Sequence, residues 1–380
     1  MSKSGTGPWT SRRRLLTALA GGVADRVPIC TYELAGWNSQ AWENHEVSYV
    51  RLMQRIRRDA DCTAMWEPQS NACFLGSSHP VEIEKAEQRD GTHVRSTSIL
   101  HTPEGELQQV TEQDDAVHTT WIVEPWCKSI EDVDKAMSVA YEPPIWDASD
   151  LDRIRTEVGD RGIIMATVSD PALMAAELMS FEDFTVWAYE HAGHFARITA
   201  AMAERAMENL RRQLDACVVD LYRIVGAEYF TPPYLPPELF AKMVVSYVTS
   251  LTELIHSRQS KVRLHCHGKV ASVLDMILQT KPDGIDPCEP PPDGDIELDQ
   301  IKRRCAEHGV SVWGNTELRL LESGTPQQVR EAVKRSMDQA KAGGGYILMP
   351  TAAPINVPLA GKTEENYLAW LDAGLEFGAY

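Results

Sequence analysis

Two histidines spaced one residue apart, His265 and His267, end the apolar run that starts at Val262. On a strand, residues i and i+2 face the same side. Both imidazoles can therefore reach one cation, with Cys266 turned the other way. Imidazole suits zinc, and a carboxylate can complete a catalytic site that keeps one position open. Glu289, Glu317 and Cys288 are the candidates for a third ligand, and the metal set read here is His265, His267 and Glu289. The other reading has one histidine hydrogen-bonded in the core and the other holding an anionic substrate group. Glu289 could equally cap its proline-rich loop, and Cys288 could be a buried thiol. Glu228 and Tyr229 follow a second apolar run, Leu221–Val225, where they could orient a substrate or exchange protons. Glu317 follows a third run and is the remaining catalytic candidate. It could instead open a helix, whose N-terminal dipole favours a carboxylate. Trp37, Trp66 and Trp121 could wall an apolar ligand site or simply pack.

These residues need a scaffold, and the sequence supplies a regular one. Eight short apolar runs recur along the chain: Val27–Thr31, Cys62–Trp66, Gly162–Val168, Leu221–Val225, Val262–His267, Gly284–Pro287, Val310–Asn315 and Tyr346–Met349. Helical periodicity fills most of the intervals, notably Phe181–Asp215, Pro237–Gln259, Val270–Gln279, Leu298–His308 and Pro326–Gly343. Strands alternating with helices imply parallel pairing. Eight of them predict an α/β fold, a (β/α)8 TIM barrel over residues 1–380, with chemistry at the C-terminal strand ends. An open doubly wound sheet is the alternative. Residues 78–125 break the rhythm with alternating patterns and turn residues at Asp90-Gly91 and Thr102–Gly105. They read as a β-hairpin insertion after the second strand, with Trp121–Pro125 returning to helix.

The 380 residues are 43% hydrophobic and 24% charged, an ordinary globular balance. The 37 basic and 55 acidic residues leave a net charge of −18. That acidity disfavours nucleic acid and anionic membrane surfaces. None of the eight cysteines forms a C-x-x-C, and no apolar run reaches the ~20 residues of a membrane span. A reducing cytoplasm is the expected compartment. Ser11-Arg-Arg-Arg-Leu-Leu16 imitates a twin-arginine signal. The expected structure is instead an amphipathic helix with Arg12–Arg14 solvated and Leu15, Leu16 and Leu19 packed. The chain lacks G-x-G-x-x-G, a Walker loop, a nucleophile elbow and a D-x-H-x-x-G cobalt-ligand motif.

Several segments, in order, resemble the uroporphyrinogen decarboxylase superfamily, including its corrinoid-linked methyltransferases. They are Arg12–Leu19 with Asp25-Arg-Val-Pro-Ile29, Pro236–Phe240, Val312-Trp-Gly-Asn315 with Ser323–Pro326, and Gly344–Pro350. The resemblance implies the same barrel. Family decarboxylases carry arginines after the first strand to hold a porphyrinogen, whereas Thr31–Gln40 here has none and presents Glu33. The zinc methyltransferase branch carries His-x-Cys-Gly and a later Cys. This chain has His265-Cys-His267-Gly268, and no Cys in Pro350–Pro354. The implied activity is removal of a methyl group from a small O- or N-methylated substrate. Zinc would serve as Lewis acid, and the acceptor would be cobalamin on a separate corrinoid protein. A metal-independent decarboxylase or lyase acting on a small carboxylate is the alternative. A non-catalytic corrinoid-binding role is the third reading.

Overall fold

A computed structural model describes residues 7–380. Seven of the apolar runs become strands of one parallel sheet. In spatial order they are Cys62–Met65, Gly162–Ser169, Leu221–Val225, Lys261–His265, Gly284–Asp286, Ser311–Thr316 and Tyr346–Pro350. Both faces of such a sheet are covered, so its strands read as continuous apolar runs.

The first run, Val27–Thr31, forms only an isolated bridge at Ile29, yet it joins the two ends of the sheet. Cys30 N–H donates to Leu348 O at 2.9 Å, and Leu348 N–H donates to Pro28 O at 3.0 Å. On the other side Asp61 N–H donates to Ile29 O at 2.7 Å. The pairing stays short because Pro28 has no N–H to offer and Tyr32 turns the chain at φ 56°. The sheet is thereby curled into a TIM-barrel-like fold.

Alternate strand residues fill the barrel interior. Ile163, Met165, Leu221, Trp313, Ile347 and Met349 pack together there, with Leu15 and Leu19 of the Ser11–Leu19 helix inserted among them. Thr10 caps that helix through the Arg13 N–H. The expectation of three solvated arginines is corrected. Arg12 pairs with Asp220, and Arg14 is buried against Asp25 and Asp61, each at 2.6 Å. Fully buried Asp61 also binds Arg26 at 2.7 Å and the Ile29 N–H at 2.8 Å. One carboxylate thus ties the first helix to the bridging segment. The charge pattern that imitates a signal is used to seat the helix at the N-terminal end of the barrel.

Between strands, the periodic stretch from Phe181 divides into two helices, Phe181–Glu190 and Ala192–Ala216, with a break at His191. Ser180 caps the first by accepting from the Asp183 N–H. This cap holds Phe181 at the first helical position. The stretch from Pro237 runs as Pro237–Phe240, a π turn at Ala241–Val245, and Ser246–Ser257.

After the Cys62–Met65 strand the chain forms a four-stranded antiparallel sheet: Glu82–Asp90, His93–Thr102, Gly105–Asp114 and Trp121–Glu124. The expected helix at Trp121–Pro125 is corrected: Trp121, Ile122 and Glu124 pair along the third strand, with an irregularity at Val123, as suits a β-branched segment. Leu100, Leu107 and Val110 are buried beneath this sheet. No helix among the described residues is long and apolar enough to cross a membrane.

Arg14→Ala leaves Asp61 with one guanidinium partner instead of two. The expected loss is about 2–3 kcal/mol of stability, read as a lower urea midpoint. An unchanged midpoint would contradict this account of the helix's seat.

Candidate functional site

The site is built from residues that point inward from adjacent strands. Arg223 and Arg263 are register partners on neighbouring strands, and His265 is the register partner of Asp286. Two buried guanidinium groups side by side need an anion, and Asp286, 1% exposed, supplies it. Arg263 Nε lies 2.9 Å from Asp286 Oδ1, an ion pair without hydrogen-bond alignment. Asp286 Oδ2 lies 2.8 Å from His265 Nδ1. The Arg263 guanidinium also sits 4.7 Å over the Trp313 ring. Arg223 donates to the Tyr32 hydroxyl and to Glu33 Oε1 at 3.3 Å. The acidic loop after the first segment therefore meets a cation brought from another strand.

Electrostatics follows from this packing. Burial alone would raise the Asp286 carboxyl, but the charges of Arg263 and Arg223 and the hydrogen bond with His265 outweigh it and hold it well below the usual range. Burial lowers His265 to about 4, against the pull of Asp286 and with help from Arg223. His265 is a neutral imidazole in a dry, charged layer.

His267 lies just past the strand end, its ring 4.4 Å from that of His265 and perpendicular to it. Its Nδ1 pairs with Glu289 Oε1, while Glu289 Oε2 accepts from the Gly268 N–H at 2.8 Å. Burial would lower His267, but the hydrogen bond to Glu289 and the charges of Glu289 and Glu228 raise it above its ordinary value. Glu228 is half-buried, and burial raises its carboxyl. Its Oε2 accepts from the Gly226 N–H at 3.1 Å. The turn that presents it requires glycine. Gly226 has φ +124°, and a Cβ there would lie 2.3 Å from Asp170 Oδ1. Asp170 is itself fixed as the cap of the Pro171–Ala176 helix, and burial pushes its carboxyl up to about 8.

A cavity of about 320 Å³ brings Glu228, Tyr229, His267 and Glu289 together with Phe181, Tyr234 and Asp293. His265 lies against His267. Glu317 stands at the head of the Leu318–Ser323 helix, 3.2 Å from Arg319, and Asp293 separates it from the cavity. Burial raises the Glu317 carboxyl, and neighbouring Asp293 adds to that shift.

The expected zinc trio does not converge. Each histidine's Nδ1 is taken by a carboxylate, Asp286 for His265 and Glu289 for His267. Among the described residues, three donor atoms lie within 4.8 Å of one another only at exposed Glu82, Glu84 and His101, on the antiparallel sheet. Glu289 pairs with His267 Nδ1, and the donor atoms of His265, His267 and Glu289 are not gathered around one point. The tryptophans also lie elsewhere. Trp66 is buried and donates to Asp150, Trp37 stacks under Arg161, and Trp121 is exposed on the antiparallel sheet. The rings that wall the cavity are Phe181, Tyr229 and Tyr234.

Sequence reasoning missed Arg223, Arg263, Asp286 and Tyr32. A signal was present: an arginine in the middle of each of two apolar strand runs, Leu221-Tyr-Arg-Ile-Val and Val262-Arg-Leu-His. Such a residue must find a buried anion.

Comparisons with known proteins bear on the family and the fold. Residues 120–360 match the family model described as uroporphyrinogen decarboxylase (URO-D), and the chain belongs to that family. A methyltransferase from Methanosarcina mazei superposes with a TM-score of 0.61 at 17% identity, covering 97% of this chain and 99% of that one. At that identity the likeness is one of fold. A xylose isomerase-like TIM barrel protein from Mycobacterium smegmatis overlaps at 11% identity, over 61% of this chain and 79% of that one, with a TM-score of 0.28, too loose to carry an argument. No curated protein sequence matches the chain.

The two histidines should titrate apart. His265 is expected to stay neutral as pH falls from the ordinary value of about 6.5 towards about 4, while His267 keeps its proton above its ordinary value. The unfolded chain protonates His265 first, so its contribution to stability is lost as pH drops through that window. Ring-nitrogen chemical shifts followed by NMR measure both. A His265 that titrates at the ordinary value would refute the buried ion layer.

Proposed function

We propose that this chain is a methyl-transferring barrel enzyme. It would bind a small O- or N-methylated substrate in the cavity at the C-terminal mouth and release its methyl group. The acceptor would be a reduced corrinoid carried by a separate protein, which supplies the nucleophile. The observation that carries this reading is the cavity itself. It places the His267–Glu289 pair and the Glu228 carboxyl at the strand ends of a URO-D barrel, where barrel enzymes do their chemistry.

Each residue has a part that its surroundings define. Glu289 is fixed by the Gly268 N–H and by His267, so its charge faces the substrate from a set position. Methyl transfer leaves an electron pair on the departing heteroatom. His267, whose proton is retained by Glu289 and Glu228, can supply a proton to that pair. Glu228 and Tyr229 orient the substrate from the neighbouring strand end. Below them, Arg223, Arg263, Asp286 and His265 form a rigid floor. No step is routed through zinc, because the expected ligands do not converge.

A metal-independent lyase on a small carboxylate is the second reading. It is favoured by Arg223, a buried guanidinium whose Nε has no hydrogen-bond partner among the described residues. A substrate carboxylate would find its cation there.

Single-turnover methyl transfer to reduced cobalamin tests the proposal. His267→Ala is expected to lower the rate about 100-fold, and His265→Ala to lower it through loss of the Asp286 contact. Metal analysis of the same preparations should show no zinc that both substitutions remove. Full activity in both variants would sink the reading. Carbon dioxide release from a small carboxylate without any corrinoid would replace it with the lyase.

A further inference from the structure

The lining of the mouth cavity divides into two kinds of surface. One is aromatic. Phe181 meets Tyr229 edge-on at 5.8 Å between ring centres and Tyr234 edge-on at 4.6 Å. Phe181 and Tyr234 remain 40% and 51% exposed, so these rings form an open wall rather than a closed core. The other is anionic and consists of Glu228, Glu289 and Asp293. Among the described residues no lysine or arginine lines the cavity. The charges of Glu289 and Asp293 are partly answered, by His267 and by Arg319 at 3.4 Å. Glu228 has no ion-pair partner among the described residues, although it is half-buried. A half-buried carboxylate beside three ring walls thus feels the charges of His267 and Arg223 but forms a direct ion pair with neither.

The chemistry that answers both surfaces at once is a methylated ammonium. Its charge is spread over methyl groups, which lie against aromatic faces and are drawn by the ring quadrupole. Its net charge satisfies carboxylates without hydrogen bonds. A neutral methyl ether satisfies the rings alone, and a carboxylate-bearing anion meets three acidic side chains. We infer that the cavity recognises a small N-methylated cation, with Phe181, Tyr229 and Tyr234 as its cage and Glu228 as its counter-charge.

This rests on the methyl-transfer reading and narrows its substrate class. For such a substrate the C–N bond breaks with its electron pair staying on nitrogen. The methyl carbon forms its new bond with the pair of the reduced corrinoid, and the substrate leaves as a neutral amine.

The test uses the full chain, titrated by calorimetry with choline, with its neutral carbon isostere 3,3-dimethylbutan-1-ol, and with the ether 2-methoxyethanol. Choline is expected to bind at least about tenfold more tightly than either, the margin of a desolvated cation–π contact. Tyr234→Ala and Glu228→Gln should each remove most of that margin, and Tyr234→Phe should keep it. Equal binding of choline and the isostere, a margin indifferent to Tyr234→Ala and Glu228→Gln, or no choline binding at millimolar concentration would overturn the inference. The two readings fail separately. Demethylation of the ether without choline preference overturns the cation cage and leaves methyl transfer standing. Choline preference with no methyl loss to reduced cobalamin upholds the cage and overturns methyl transfer.

Discussion

One buried carboxylate governs the centre of this barrel. Asp286 faces Arg263 and His265 directly and lies within the field of Arg223. Without it, two guanidinium groups on adjacent strands would repel each other in a region with little water. With it, the polar layer closes on itself and leaves His265 neutral. The Gly284–Asp286 strand is short, yet it supplies the charge that allows its neighbours to carry arginines inward. The floor of the site is therefore an electrostatic construction set into an otherwise apolar barrel.

Above that floor the design changes. The residues at the mouth come from turns and helix starts rather than strand interiors. Glu228 is carried by the turn at Gly226, Glu289 by the proline-rich loop, and Phe181 by a capped helix. Each is fixed by a backbone contact: the Gly226 N–H to Glu228, the Gly268 N–H to Glu289, and the Asp183 N–H to Ser180. Loops that carry function on a rigid barrel need such local restraints, because packing alone leaves them mobile. The result is an open cavity with a fixed base.

Much of the fold was legible in the residues. Apolar runs alternating with helical periodicity located the strands, since parallel strands buried on both faces carry a distinctive composition. The first run was legible as a position but not as a full strand, because Pro28 removes a donor. The Trp121–Glu124 segment misled, because a four-residue apolar piece has no decisive period. At the site, Glu228, Tyr229, His267 and Glu289 were readable because they follow strand ends. Phe181 and Tyr234 were not, because their relevance depends on how a helix start and a proline-bounded turn approach each other. The zinc reading shows the same boundary. Spacing of i and i+2 put the two imidazoles on one face, but spacing is silent about what each Nδ1 will bind.

The sequence by itself determined the barrel class, the alternation that places chemistry at the strand ends, and the overall acidity that disfavours polyanionic partners. These are properties of composition and period, which act locally along the chain. Only the tertiary structure decided that Arg14 and Asp61 seat the first helix, that Asp286 serves both Arg263 and His265, and that Glu289 pairs with His267. Each of these is a pairing between residues far apart in sequence. Such a choice is made by which charges and donors are buried together, and burial exists only once the sheet has closed.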